Sequence, residues 1–127
     1  GPRVLNLCGR LDLRQSAALL EGAAALLSND SGPAHLAAAV GCPGLVLFAG
    51  TDRAGLWKPH GEGLGTLRAE LACAPCYRAV CPHDNACLRR LDLALVEGEL
   101  WTRARRLPEP EPAPALPGAR SAPAAVG

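Results

Sequence analysis

Along the first half of the chain, short apolar runs alternate with stretches closed by glycine or proline. Val4-Leu5-Asn6-Leu7-Cys8 is almost wholly apolar and stops at Gly9, which predicts a buried strand. Asp12 then stands where a helix N-cap is wanted, and a helix is expected from about Leu13 to Gly22. Ala24-Ala25-Leu26-Leu27-Ser28 reads as a second buried strand, followed by the turn Asn29-Asp30-Ser31-Gly32. Pro33 suits the start of a helix, where its missing N–H costs nothing. Ala34 to Val40 continues that helix with small residues, and Gly41 ends it. Gly44-Leu45-Val46-Leu47-Phe48 reads as a third strand.

This rhythm predicts a βαβαβ unit, an α/β fold with a Rossmann-like parallel sheet. The strands are continuously apolar rather than alternating, as expected when both faces of a sheet are covered. Beyond Phe48 the signal weakens. Ala49 to His60 is turn-rich, and Thr66-Leu67-Arg68 reads as a further short strand. Leu91 to Arg106 reads as a last helix, with Asp92 as cap and Leu95, Val96, Leu100 and Trp101 as its apolar side. Arg103, Arg105 and Arg106 suit the negative end of that helix. Proline, alanine and glutamate dominate from Leu107 onward, so residues 107–127 are expected to form a disordered tail.

Composition narrows the function classes. With 13 basic and 12 acidic residues, the net charge of +1 gives no footprint for nucleic acid. Aromatic residues make up 3% of the chain, too few for base-stacking platforms. No run approaches the ~18 apolar residues of a membrane span. Methionine is absent and the first residues already read as extended, so we expect the chain to start inside a larger protein.

The segment Ser28 to Leu36 joins the carboxyl end of a strand to the amino end of a helix, where open α/β sheets place ligands. The first turn of a helix carries unpaired N–H groups and partial positive charge, which suits a phosphate or diphosphate. Ser31 and Gly32 let a ligand approach the backbone closely. Asp30 either caps the helix or accepts from a ligand hydroxyl, and His35 in the first turn is a donor to phosphate oxygen. Taken singly, these residues are equally an ordinary helix start, and the two readings stay open at this level.

Cys73-x2-Cys76-x4-Cys81-x5-Cys87 forms a second cluster. Four thiols at such spacing read as a structural zinc site, with His83 as a substitute ligand, as disulfides, or as reduced cysteines that pack a loop. A redox-catalytic role is disfavoured, since it wants a lone Cys-x-x-Cys at a helix start. His60 reads as an exposed loop residue, as does His83 if it is not a ligand, and Trp57 and Trp101 read as packing residues.

The run Ser28-Asn29-Asp30-Ser31-Gly32-Pro33-Ala34-His35-Leu36-Ala37-Ala38-Ala39 resembles the signature of glycosyltransferase family 9, the ADP-heptose:lipopolysaccharide heptosyltransferases. Asn6-Leu7-Cys8-Gly9 with Leu13 resembles an upstream landmark of that family. Leu47-Phe48-Ala49-Gly50-Thr51-Asp52 resembles a downstream one, departing from it at Ala49, Gly50 and Arg53. Cys-x-x-Cys-Tyr-Arg-x-x-Cys-Pro-His resembles a cysteine-rich loop of many members. The likeness covers roughly Val4 to Arg106.

The resemblance implies part of the C-terminal, donor-binding domain of a two-domain GT-B enzyme, here residues 1–106. It implies sugar transfer with inversion from a nucleotide-diphosphate donor, ADP-heptose, to a lipopolysaccharide core or lipid A-linked acceptor. It implies a cytoplasmic place, at the inner face of the membrane. Carried over, Asp30 contacts the donor sugar, while Ser31 and Gly32, with Pro33 between them and His35, hold the diphosphate. Leu11 meets the base, and Thr51 and Asp52 line the same cleft. The family's general base lies in the first domain, and its donor-side lysine and glutamate lie upstream of Gly1. No catalytic residue is therefore assigned here, no cofactor beyond the zinc alternative is implied, and activity of this chain alone is not expected. A stand-alone nucleotide-binding module and a small zinc-stabilised interaction domain are the competing readings.

Overall fold

The computed structural model describes residues 4–51 and 54–105. The elements follow as α1 (Leu13–Gly22), β1 (Leu26–Asn29), α2 (Gly32–Ala39), β2 (Gly44–Leu47), α3 (Ala54–Trp57), β3 (Leu64–Leu67), α4 (Ala86–Arg89) and α5 (Leu93–Arg103). The three strands form one parallel sheet in the order β1-β2-β3, with Ser28 beside Val46 and Val46 beside Thr66. The α/β, Rossmann-like architecture expected from the pattern is present.

Alternation along the strands shows which helix covers which face. Leu26, Val46 and Leu64 share one face, and they pack with Phe48 against Ala34 of α2. Ala34 and Ala37 have no exposed surface, so their small side chains let α2 lie close to the sheet. Leu45 and Gly65 point the other way, toward α5. A Cβ on Gly65 would collide with the Arg103 guanidinium, so the missing side chain seats α5. The inward stripe of α5 is Val96, Leu100 and Arg103, a helical i, i+4, i+7 spacing. Leu95 and Trp101, expected on that side, are exposed, as is Trp57. The assignment of both tryptophans to packing is therefore corrected.

Local capping explains α1. Asp12 accepts from the Gln15 amide at 2.8 Å, and the Gln15 side chain accepts from the Asp12 amide at 3.0 Å. The far end of α1 is held from outside. Arg105 Nε donates to the Ala23 carbonyl at 2.7 Å, and its terminal nitrogen donates to the carbonyls of Leu20 and Glu21. Arg105 thus serves the negative end of α1, not that of its own helix.

The expected first strand is also corrected. Val4 and Leu5 are 81% exposed, and residues 4–7 carry no strand assignment. An apolar run supplies a candidate, but a strand exists only where a neighbour accepts its ladder bonds. Here the segment turns at once, with the Cys8 amide on Asn6 Oδ1 and the Arg10 amide on the Leu7 carbonyl. The last strand begins at Leu64, ahead of the Thr66 expected. Arg106 and the tail expected over 107–127 lie outside the described residues. No helix among the described residues is long and apolar enough to cross a membrane.

Candidate functional site

β1 and β2 deliver their carboxyl ends to the same edge of the sheet, and the loops that leave them bound a cavity of about 300 Å³. Asn29, Asp30, Leu47, Phe48, Ala49 and Thr51 line it. Leu88 of α4 lines it as well. A second cleft of about 500 Å³ opens next to it at the carboxyl end of β3, sharing Phe48 and carrying Thr66, Arg68 and Glu70. Arg68 is partly engaged there by Glu70 at 3.4 Å.

The turn between β1 and α2 is built so that the helix start stays open. Ser31 is the N-cap residue, yet its side chain does not cap. Its hydroxyl folds back toward the strand end, 3.2 Å from the Asn29 carbonyl and 3.4 Å from the Ser28 hydroxyl. Ser28 in turn donates to the Asn29 carbonyl at 2.8 Å. Asp30 is half-buried and does not cap the helix either. Among the described residues no acceptor meets the amides of Ser31 and Gly32. Pro33 adds no N–H to this cradle, and the Ala34 amide bonds to the Ser31 carbonyl at 3.0 Å. Two free amides and the positive end of α2 are what an anion needs.

Of the residues singled out from the sequence, Asp30 and Thr51 are brought into one cavity. Ser31, Gly32, Pro33 and His35 flank it at the start of α2, with Gly32, Pro33 and His35 exposed. Leu11 is half-buried just ahead of α1 and does not line the cavity. Asp52 lies outside the described residues. Sequence reasoning missed Asn29 as a lining residue, although it sits in the same motif. It also missed Leu88, for which no local signal existed.

The cysteine-rich segment forms the back of the site. The Cys76 amide donates to the Gly50 carbonyl and the Tyr77 amide to the Thr51 carbonyl, both at 2.9 Å. A Cβ on Gly50 would lie 3.1 Å from the Ala74 Cβ and 3.4 Å from the Cys87 Cβ, so Cys87 packs directly on this loop. All six cysteines are free thiols. Among the described residues no three His, Cys, Asp or Glu side chains gather into a group that would hold a metal. Cys73, Cys76, Cys81 and His83 line one cavity of about 280 Å³, and Cys87 is not part of its lining. Cys87 is drawn inward to Gly50, while the Cys81 sulfur is taken up by the amides of His83 and Asn85 at 3.4 and 3.3 Å. No disulfide joins the cysteines of this loop. Elsewhere, burial raises the pKa of the Cys42 thiol, partly offset by the Arg105 charge.

The sequence model of glycosyltransferase family 9 (heptosyltransferase) matches residues 2–87. Lipopolysaccharide heptosyltransferase 1 of Pseudomonas aeruginosa is 38% identical over 75 residues, which is 59% of this chain and 21% of that protein. Lipopolysaccharide heptosyltransferase 3 of Escherichia coli is 40% identical over 63 residues, 50% of this chain and 18% of the relative. Lipooligosaccharide heptosyltransferase 2 of Campylobacter jejuni is 27% identical over 90 residues, 70% of this chain and 28% of the relative. The matched part thus spans between 18% and 28% of these relatives' length. No solved structure matches the chain.

Proposed function

The chain belongs to glycosyltransferase family 9, and from that premise we propose that it forms the donor-binding side of a heptosyltransferase. The donor is a nucleotide-diphosphate heptose, ADP-heptose, and the acceptor a hydroxyl of the lipopolysaccharide core, at the cytoplasmic face of the membrane. The observation that carries this reading is the pairing of an uncapped helix start with an adjacent carboxylate. The amides of Ser31 and Gly32 meet no acceptor among the described residues, and Asp30 lines the neighbouring cavity.

Each group has a distinct task. The diphosphate lies against the amides of Ser31 and Gly32, ahead of Pro33, with His35 as a further donor. Asp30 accepts from sugar hydroxyls, with Thr51 and Asp52 as further contacts to the donor and Leu11 as a contact to the base. As the acceptor oxygen attacks the anomeric carbon from the opposite face, the bond to the diphosphate oxygen breaks. The electron pair stays on the diphosphate, and inversion follows. Fixed N–H donors stabilise that growing charge more in the transition state than in the ground state. The acceptor proton goes to a general base on the other domain of a GT-B enzyme.

The test is titration of the wild type, Asp30→Ala and His35→Ala with ADP and ADP-heptose. A hydrogen bond to a charged group contributes about 1.5–3 kcal/mol, so each variant should lose about tenfold or more. Asp30→Ala should lose it for ADP-heptose only, and His35→Ala for both ligands. Equal affinity in all three proteins would remove the site.

A further inference from the structure

Leu88 is a large apolar side chain with 44% of its surface exposed. It lines a cavity shared by the polar residues Asn29, Asp30 and Thr51 and the apolar residues Leu47, Phe48 and Ala49. Its place is firmly set. Cys87 packs on Gly50, and the Leu88 amide donates to the Asn85 carbonyl at 2.9 Å. The same loop is pinned to the site by the Cys76 and Tyr77 amides on the carbonyls of Gly50 and Thr51.

A cavity lined by both apolar side chains and hydrogen-bonding groups matches a ligand that itself carries both. A sugar ring is such a ligand, with C–H groups on its faces and hydroxyls around its rim. A diphosphate is not, because a carboxylate repels it and apolar side chains give it nothing. The cavity, at about 300 Å³, lies at the small end of ligand sites. We infer that Leu88 is a specificity-determining residue, supplying part of the apolar lining of the subsite for the transferred sugar. The cysteine-rich loop is then the element that carries this side chain to the donor. The inference rests on the donor-binding reading above and adds a residue that the motif does not contain.

The experiment measures affinity for ADP and for ADP-heptose in the wild type, Leu88→Ala, Leu88→Met and Asp30→Ala, with circular dichroism to confirm that each is folded. Leu88→Ala should weaken ADP-heptose by about threefold or more while leaving ADP unchanged, since only the sugar contact is lost. Leu88→Met keeps an apolar side chain and should retain wild-type affinity for both. If Leu88→Ala binds ADP-heptose as well as the wild type, or loses both ligands equally, while Asp30→Ala still discriminates, this inference falls and the donor site stands. If Asp30→Ala also fails to discriminate, or the wild type binds neither ligand, the donor-binding reading falls and this one with it.

Discussion

Gly44 opens β2 at the point where Leu26 of β1 comes closest. A Cβ there would strike the Leu26 carbonyl oxygen, which is backbone and cannot rotate away. The neighbouring bonds leave no slack, since the Leu26 amide is on the Pro43 carbonyl at 2.8 Å and the Gly44 amide on the Gly63 carbonyl at 3.0 Å. Gly44→Ala should therefore lose stability at or above the top of the ordinary ~0.5–3 kcal/mol range, read as a lower urea midpoint. Gly22 meets nothing within 4 Å, and Gly22→Ala should leave the midpoint nearly unchanged. The residues were legible to different depths for the same reason. Asp30 and Thr51 were readable as site residues because they end runs that a parallel sheet must bring to one edge. Leu88 was not, because its place depends on a loop that returns to Gly50 from far along the chain.

At the scale of elements, α1 depends on residues at both of its ends. Asp12 and Gln15 satisfy the amino end locally, which is why the bounds Leu13–Gly22 were readable in advance. Its carboxyl end is satisfied by Arg105, 82 positions from Ala23, and no local pattern announces that. Asp12→Ala should cost about 1 kcal/mol, the usual loss of an N-cap. Arg105→Ala should cost about 2 kcal/mol, because three carbonyls lose a charged donor together. Arg105→Lys should recover only part of it, since a single ammonium does not reproduce the planar fork. Chemical denaturation of the three variants checks the order. Val4 to Cys8 shows the opposite case: its apolar pattern is clear, but a strand is a relation between two segments and a run of residues cannot supply its own partner.

The described residues form a three-stranded sheet with a core of few fully buried side chains, led by Phe48, Leu45, Val46 and Cys42. Little apolar burial means modest stability, so binding energy at the sheet edge should be visible as resistance to heat. Phe48 is both the largest core residue and part of the lining of the donor cavity, which ties the site to the core. A ligand that binds only the folded state at about 100 times its Kd adds about 2.7 kcal/mol. For a domain of this size each kcal/mol moves the midpoint by roughly 4–8 °C, so ADP-heptose at that excess should raise the Tm by roughly 10 °C or more. The rise should follow the logarithm of ligand concentration and shrink in Asp30→Ala at the same concentration. Differential scanning fluorimetry reads both. A Tm indifferent to ADP-heptose in the wild type would mean that the uncapped helix start and the cavity beside it do not hold the donor.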